Sequence, residues 1–465
     1  MRAVHDELGP GERLVLRRVG GCGGGVVIRQ ALRRNPWSFL GPFSTQLLAA
    51  ALVAAGLGIV TSIDRAPLDA TARQVLTDSG LADIAIIFVM LAIYLTVIIV
   101  GVTMAAAIAQ QARDIALVRA IGATPGRVRR SVAAQAAIVA VPATLLGVPL
   151  GSLGGRAWID GVVTHGLAPA AVTFHPHPAA LPIALAVTVG TSLAGALIAA
   201  IRPSRMRPAA ALAESAAPRR RVGVVRTTAG LVLVAGGSGL SVAIADLDAA
   251  TADSLGLFVM LALCVGAGLL GPALLKVAAL IGRGFGDTGR LAADTINVRA
   301  RALSGALVPL TLAIAFTAVK VIMLKTVEHE TGTVPPAADR WLEYSGTSVY
   351  VAFAAVAAVN TLVTVVLARR RDLAVTQLAG ATRRHALAVV ICEALLVTGT
   401  ALVVGAAVAA TTTLPLLHTA LGIWMPWVPL SWLLTGVAGT TALVLAGTAL
   451  PATLAMRRPP IEVVT

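Results

Sequence analysis

Apolar residues in this chain come in long unbroken runs, neither alternating with polar residues nor arranged as stripes. Ten runs stand out, at 39–63, 83–110, 131–155, 179–201, 227–245, 254–281, 304–324, 346–368, 385–411 and 429–455. Each is about as long as an α-helix must be to cross the ~30 Å hydrocarbon layer of a bilayer, ~20 residues. The strands of a membrane barrel would alternate apolar and polar positions instead. The pattern predicts an all-α integral membrane protein with ten transmembrane helices. Composition agrees: 57% of residues are hydrophobic and 13% charged, against ~25% charged in soluble domains.

The polar gaps carry the second pattern. Residues 113–124 read RDIALVRAIGAT, and residues 371–382 read RDLAVTQLAGAT. The shift is 258 residues, and six of the twelve positions are identical. Each copy follows one apolar run and precedes another. The first continues into a basic stretch with Arg127, Arg129 and Arg130. Six predicted spans separate the copies, so the two halves share one orientation. They are parallel repeats, whereas inverted repeats with broken helices mark many secondary carriers.

Charge sets the orientation. The formal net charge is +15, yet 30 of the 37 Lys and Arg fall in one alternate set of gaps and five in the other. Acids divide the other way, nine against eleven of 22. This is the positive-inside asymmetry, which places the basic gaps and both termini in the cytoplasm. The arginines then need no nucleic acid; orientation and lipid headgroups account for them. The 38-residue basic lead before the first run is long for a signal peptide, so that run reads as an uncleaved anchor. Arginine outnumbers lysine 34 to 3, the bias of a high-GC bacterial genome.

Other chemistry is sparse. The glycine run at 20–25 is no phosphate loop, because a P-loop needs Gly-Lys-Ser/Thr and none of Lys276, Lys320 and Lys325 follows a glycine. It reads as a linker. Cys22, Cys264 and Cys392 have no metal-ligand spacing, and His165, His175 and His177 lie in a proline-rich loop. Neither metal nor cofactor is expected in this chain. Within the runs, Lys320 sits near an outer end and can snorkel. Glu393 lies two turns in from the cytoplasm with Gln135 in the same register of the first half, and Asn360 is central, placed to bond a neighbouring helix. Intramembrane polar residues are functional candidates by default.

The repeated segment resembles the cytoplasmic segment of FtsX-like (MacB-like) permeases of ABC transporters. The match rests on the Arg113–Asp114 pair, the run 116–120 with Arg119, the Gly122, Ala123, Thr124 turn, and the basic helix with Arg127. The second copy matches at Arg371, Asp372, Gly380, Ala381 and Thr382, followed by Arg383. It departs at Gln377 and Leu378, and both copies have Asp where the family more often has Glu. The resemblance implies two parallel four-helix FtsX-like repeats joined by two extra helices. Residues 1–38 would be a cytoplasmic segment, 39–212 the first repeat, 213–296 the linking helices and 297–465 the second repeat.

It further implies a permease subunit, not an enzyme, of an ATP-driven exporter in the bacterial cytoplasmic membrane. One chain would engage two copies of a soluble ATPase, which carries the ATP and Mg²⁺. A glycine break at Gly122 and a short helix starting at Pro125 would form the docking lever, and the first lever would contribute more than the second. Glu393 would belong to the coupling region. The gaps at 61–82 and 325–345, about 20 residues each, leave no room for the large outside domain of MacB-type members. That shifts the expected substrate toward a lipid, lipopeptide, peptide antibiotic or hydrophobic drug. The alternatives are a non-transporting transmitter of motion across the membrane and a secondary carrier.

Overall fold

The structure is a computed structural model that describes residues 37–67, 69, 81–111, 115–117, 119, 122–205, 223–247 and 249–457. Among the described residues there is no strand. The helices are α1 (Trp37–Arg65), α2 (Leu81–Gln110), α3 (Pro125–Thr164), α4 (Ala180–Arg205), α5 (Val224–Ile244), α6 (Ala249–Gly282), α7 (Gly286–Thr331), α8 (Ala337–Ala368), α9 (Arg370–Leu378), α10 (Arg383–Leu421) and α11 (Leu430–Ala455). Nine are long and apolar enough to cross a membrane, among the described residues. The tenth expected span is α2, 30 residues long, whose described apolar stretch is the shorter Val89–Ala105.

Helices α1 to α4 pack as one group and α7, α8, α10 and α11 as another. Within the first group, α1 and α3 meet most closely. Small residues make this possible, since apolar surface is not driven together inside lipid and close van der Waals contact must hold the helices. Gly147, Gly151 and Gly155 recur one turn apart on α3. A Cβ at Gly151 would lie 2.1 Å from the Ala51 carbonyl oxygen, and one at Gly147 2.4 Å from that of Leu47.

Helices α5 and α6 pack on each other, and α6 lies against α7 and α10. Two polar side chains hook α5 onto its neighbours. A proline within a helix frees the carbonyl four residues earlier, which lipid cannot satisfy. Pro272 in α6 frees Gly268 O, and Arg226 Nη2 donates to that oxygen at 2.9 Å. The same guanidinium reaches Leu269 O through Nε and Ser304 Oγ on α7 through Nη2. At the other end of α5, Ser241 Oγ donates to Thr411 O, the carbonyl freed by Pro415. From the sequence Arg226 reads as one of the orientation and headgroup arginines; the structure adds that it satisfies the carbonyl freed by Pro272.

The two groups share one apolar core, with Leu52 and Ile59 of α1, Ile99 of α2, Leu312 of α7 and Phe353 of α8 in a single cluster. Polar joints cross between them. Asn360 Nδ2 on α8 donates to Ser44 Oγ on α1 at 2.6 Å. Trp158 Nε1 on α3 donates to Ser345 Oγ on α8 at 3.2 Å. Between these α3 and α8 ends, the Trp341 ring stacks on His165, with centroids 4.4 Å apart.

Several helices run well past the apolar runs that announced them. Helix α7 has 46 residues, ~69 Å at 1.5 Å per residue. The gap at 325–345, expected as a loop, is mostly the ends of α7 and α8, joined by residues 332–336. Gly332, at φ +65°, ends α7. Hydropathy marks where a helix touches lipid, not where its hydrogen bonding stops. Lys320 does not simply snorkel: its Nζ pairs with Glu343 of α8 at 2.9 Å.

Candidate functional site

The two repeated segments lie where α2 passes to α3 and α8 passes to α10. Three backbone hydrogen bonds recur in both among the described residues. Gln111 N donates to Ile108 O at 3.0 Å, and Arg369 N to Val366 O at 3.1 Å. Ile115 N donates to Gln111 O at 2.9 Å, and Leu373 N to Arg369 O at 3.0 Å. Gly122 N donates to Arg119 O and Gly380 N to Gln377 O, both at 3.0 Å. Every pair is related by the same shift of 258 residues. The span helix therefore breaks at Gln111 or Arg369, resumes briefly, and ends at a glycine.

Each glycine turns the chain. Gly122 has φ +98° and Gly380 φ +99°, a left-handed conformation that strains any residue with a β-carbon. A Cβ would meet nothing within 4 Å at either position, so conformation, not space, requires glycine. Two residues on, a threonine caps the next helix. Thr124 Oγ1 accepts from Arg127 N at 3.3 Å, and Thr382 Oγ1 from His385 N at 3.2 Å. This satisfies one of the donors every helix N-terminus leaves open. Gly-Ala-Thr thus encodes a stop, a link and a start in three residues.

The short helix lies on the other side of the glycine from where it was expected. Pro125 begins α3, which runs unbroken for 40 residues, so Arg127, Arg129 and Arg130 sit on the first two turns of a span. In the second copy the short helix is α9, nine residues ahead of Gly380. A first-turn proline is preorganised for helix and does not end one. Each turn is therefore followed directly by a long helix, α3 after Gly122 and α10 after Gly380.

Most expected residues can be placed. Arg113 and Asp114 lie outside the described residues, as does the Arg371 side chain. Arg119 is half-buried, Arg127 and Arg383 are exposed, and Ala123 and Ala381 are half-buried. Arg129 Nε donates to Ser204 Oγ at 3.2 Å, tying α3 to α4. Asp372 on α9 pairs with Arg299 on α7. Gln135 is buried on α3, with Oε1 unpartnered among the described residues. Glu393 is buried on α10 and pairs with Arg369. Asn360 is apart from both turns, at the joint with α1.

Arg369 was missed by sequence reasoning, which counted it among the cytoplasmic arginines. Its side chain is 5% exposed and that of Glu393 3%. The signal available was Glu393 itself, since a buried carboxylate calls for a cation.

The profile of the family described as FtsX-like permease C-terminal matches residues 86–208 and 346–460. Each segment contains one glycine turn, and the two together span just over half of the chain. That family is a membrane permease component, not itself catalytic, and generally works with an ABC ATPase partner. A comparison with curated proteins gives no match. The matched glycine turns and the profile spanning both of them agree: this multi-pass membrane protein belongs to the FtsX-like permease family.

Proposed function

We propose that the chain is the permease subunit of an ATP-driven exporter in the bacterial cytoplasmic membrane, with both termini inside. The observation that carries this reading is the duplicated turn, with the same backbone bonds, left-handed glycine and threonine cap in both halves. Two equivalent levers on one chain suit two copies of an ATPase that close on ATP and Mg²⁺. In this reading the ATP and Mg²⁺ sites lie on the ATPase.

The cargo in this reading is hydrophobic or amphipathic: a lipid, lipopeptide, peptide antibiotic or drug. Short outer connections support it. The α7–α8 link is residues 332–336, and residues 165–179 join α3 to α4. Neither holds an independent domain to capture a soluble substrate, whereas long lipid-facing helices meet a membrane-dissolved one. Reconstitution with the ATPase tests the reading: candidate substrates in the bilayer are expected to stimulate ATP turnover. ATP turnover unaffected by any lipid or amphiphile would count against export.

A second reading has its own support. The halves share one core and are joined by Asn360–Ser44 and Trp158–Ser345, as suits a body that transmits motion across the membrane without passing cargo. Turnover stimulated by an outside protein, with no lipid moved, would favour it. The secondary carrier is the weakest reading, because its one deep carboxylate candidate, Glu393, is tied to Arg369.

A further inference from the structure

The second turn is held by two ion pairs. Arg369 is the junction between α8 and α9, and its Nη1 donates to Glu393 Oε2 on α10. One turn further, Asp372 of α9 pairs with Arg299 of α7. The start of the nine-residue α9 is thus tied by ion pairs to α10, through its N-cap Arg369, and to α7, through Asp372. At the shift of 258 residues, Arg369 corresponds to Gln111 and Glu393 to Gln135. One half has a cation and an anion where the other has two neutral amides, although the backbone hydrogen bonds at the junction are the same.

The charged pair does not simply add stability. Glu393 Oε1 and Arg369 Nε have no hydrogen-bond partner among the described residues. Both side chains line a cavity of about 10 Å³ with Leu303, Leu362, Val390 and Thr448, the size of one water. A buried ion pair with unmet bonds is weak support for stability, and its clearest use is to fix one geometry among several. Breaking it from one side leaves a buried charge, whereas replacing both partners leaves none.

We infer that Arg369 and Glu393 are positioning residues, a buried charge clamp that fixes the junction of α8 and α9 against α10. The second junction then moves as one body with α10, whereas the corresponding positions of the first half, Gln111 and Gln135, carry no charge. The clamp stands on the geometry alone; its bearing on transport rests on the proposal that the turns couple to an ATPase.

The test uses the full chain in nanodiscs and reads amide hydrogen exchange. Glu393→Gln and Arg369→Gln are each expected to speed exchange across 370–378 by about tenfold or more, since each leaves a buried charge unpaired. Residues 115–128 are expected to stay unchanged. The double variant Arg369→Gln/Glu393→Gln recreates the pair of residue types already present in the first half, and is expected to restore slow exchange. Should a single variant fail to fold, a double variant that folds with slow exchange in 370–378 still supports the clamp. Singles that exchange like the wild type, or a double as fast as the singles or unable to fold, overturn it. Partner-stimulated ATP turnover, measured in parallel, separates the two ideas. Altered exchange with unaltered stimulation keeps the clamp and removes the coupling role.

Discussion

Gly122 and Gly126 stand four residues apart and should answer the same substitution with opposite signs. Neither has an atom within 4 Å of a built Cβ, so crowding plays no part. Gly122 is left-handed at φ +98°, and alanine there is expected to cost about 1–2 kcal/mol. Gly126 is helical, and alanine there is expected to gain about 0.5 kcal/mol by removing freedom from the unfolded chain. Thermal denaturation of detergent-solubilised Gly122→Ala and Gly126→Ala reads the signs; a rise in both would refute the turn geometry. These residues were legible in the sequence because a repeat marked Gly122 and Gly380 and because Gly-Ala-Thr has a local reason. Arg369 and Arg226 were not legible. Their partners lie 24 and 42 or more residues away, and an arginine beside an apolar run reads first as a topology signal.

Among the elements, α5 is the clearest case of a helix held by few contacts. Its side chains at Val225, Val232 and Val242 are exposed, so its attachment depends on α6 and on two hooks. Arg226 satisfies carbonyls at one proline kink and Ser241 the carbonyl at another. Arg226→Leu removes the donor from Gly268 O, the carbonyl that Pro272 leaves without a helical partner, at a cost of about 1–3 kcal/mol. Ser241→Ala should cost about 1 kcal/mol. Limited proteolysis in the α4–α5 connection is expected to rise in the order wild type, Ser241→Ala, Arg226→Leu. Equal rates in all three would mean that α6 packing alone holds α5.

Helix existence was legible from hydropathy, because continuous apolar runs admit little else in lipid. Helix ends were not. Residues 325–331 read KTVEHET, polar enough to end an apolar run yet fully helical. The same applies to the basic first turn of α3, where Arg127, Arg129 and Arg130 read as a separate short helix. In both places charge marks exit from the membrane while the backbone bonding continues.

For the whole molecule, the charge asymmetry predicts an inside and an outside, and the turns between helices offer places to check it. Thr333 lies in the α7–α8 turn and Gly284 in the α6–α7 turn, both exposed. In a background with Cys22, Cys264 and Cys392 replaced, Thr333→Cys is expected to react with an impermeant thiol reagent added outside intact cells. Gly284→Cys is expected to react only after permeabilisation. The reverse pattern would invert the topology. The two-group architecture was legible from the repeat. The joints between groups were not, since Asn360 and Ser44 are 316 residues apart and no periodicity links them.

The central claim is that one chain offers two ATPase-coupling turns. The most direct measurement is native mass spectrometry of the complex with its ATPase, with ATP turnover, for wild type, Gly122→Val, Gly380→Val and the double variant. Two ATPase copies per wild-type chain are expected. Each valine variant should weaken retention of one copy and lower partner-dependent turnover by about tenfold, the equivalent of roughly 1.4 kcal/mol of misalignment. The loss should be larger at Gly122, whose segment keeps Arg119 and the Pro125 helix start, and the double variant should retain neither copy. A single ATPase copy per wild-type chain, or valine variants that bind and turn over like the wild type, would contradict it.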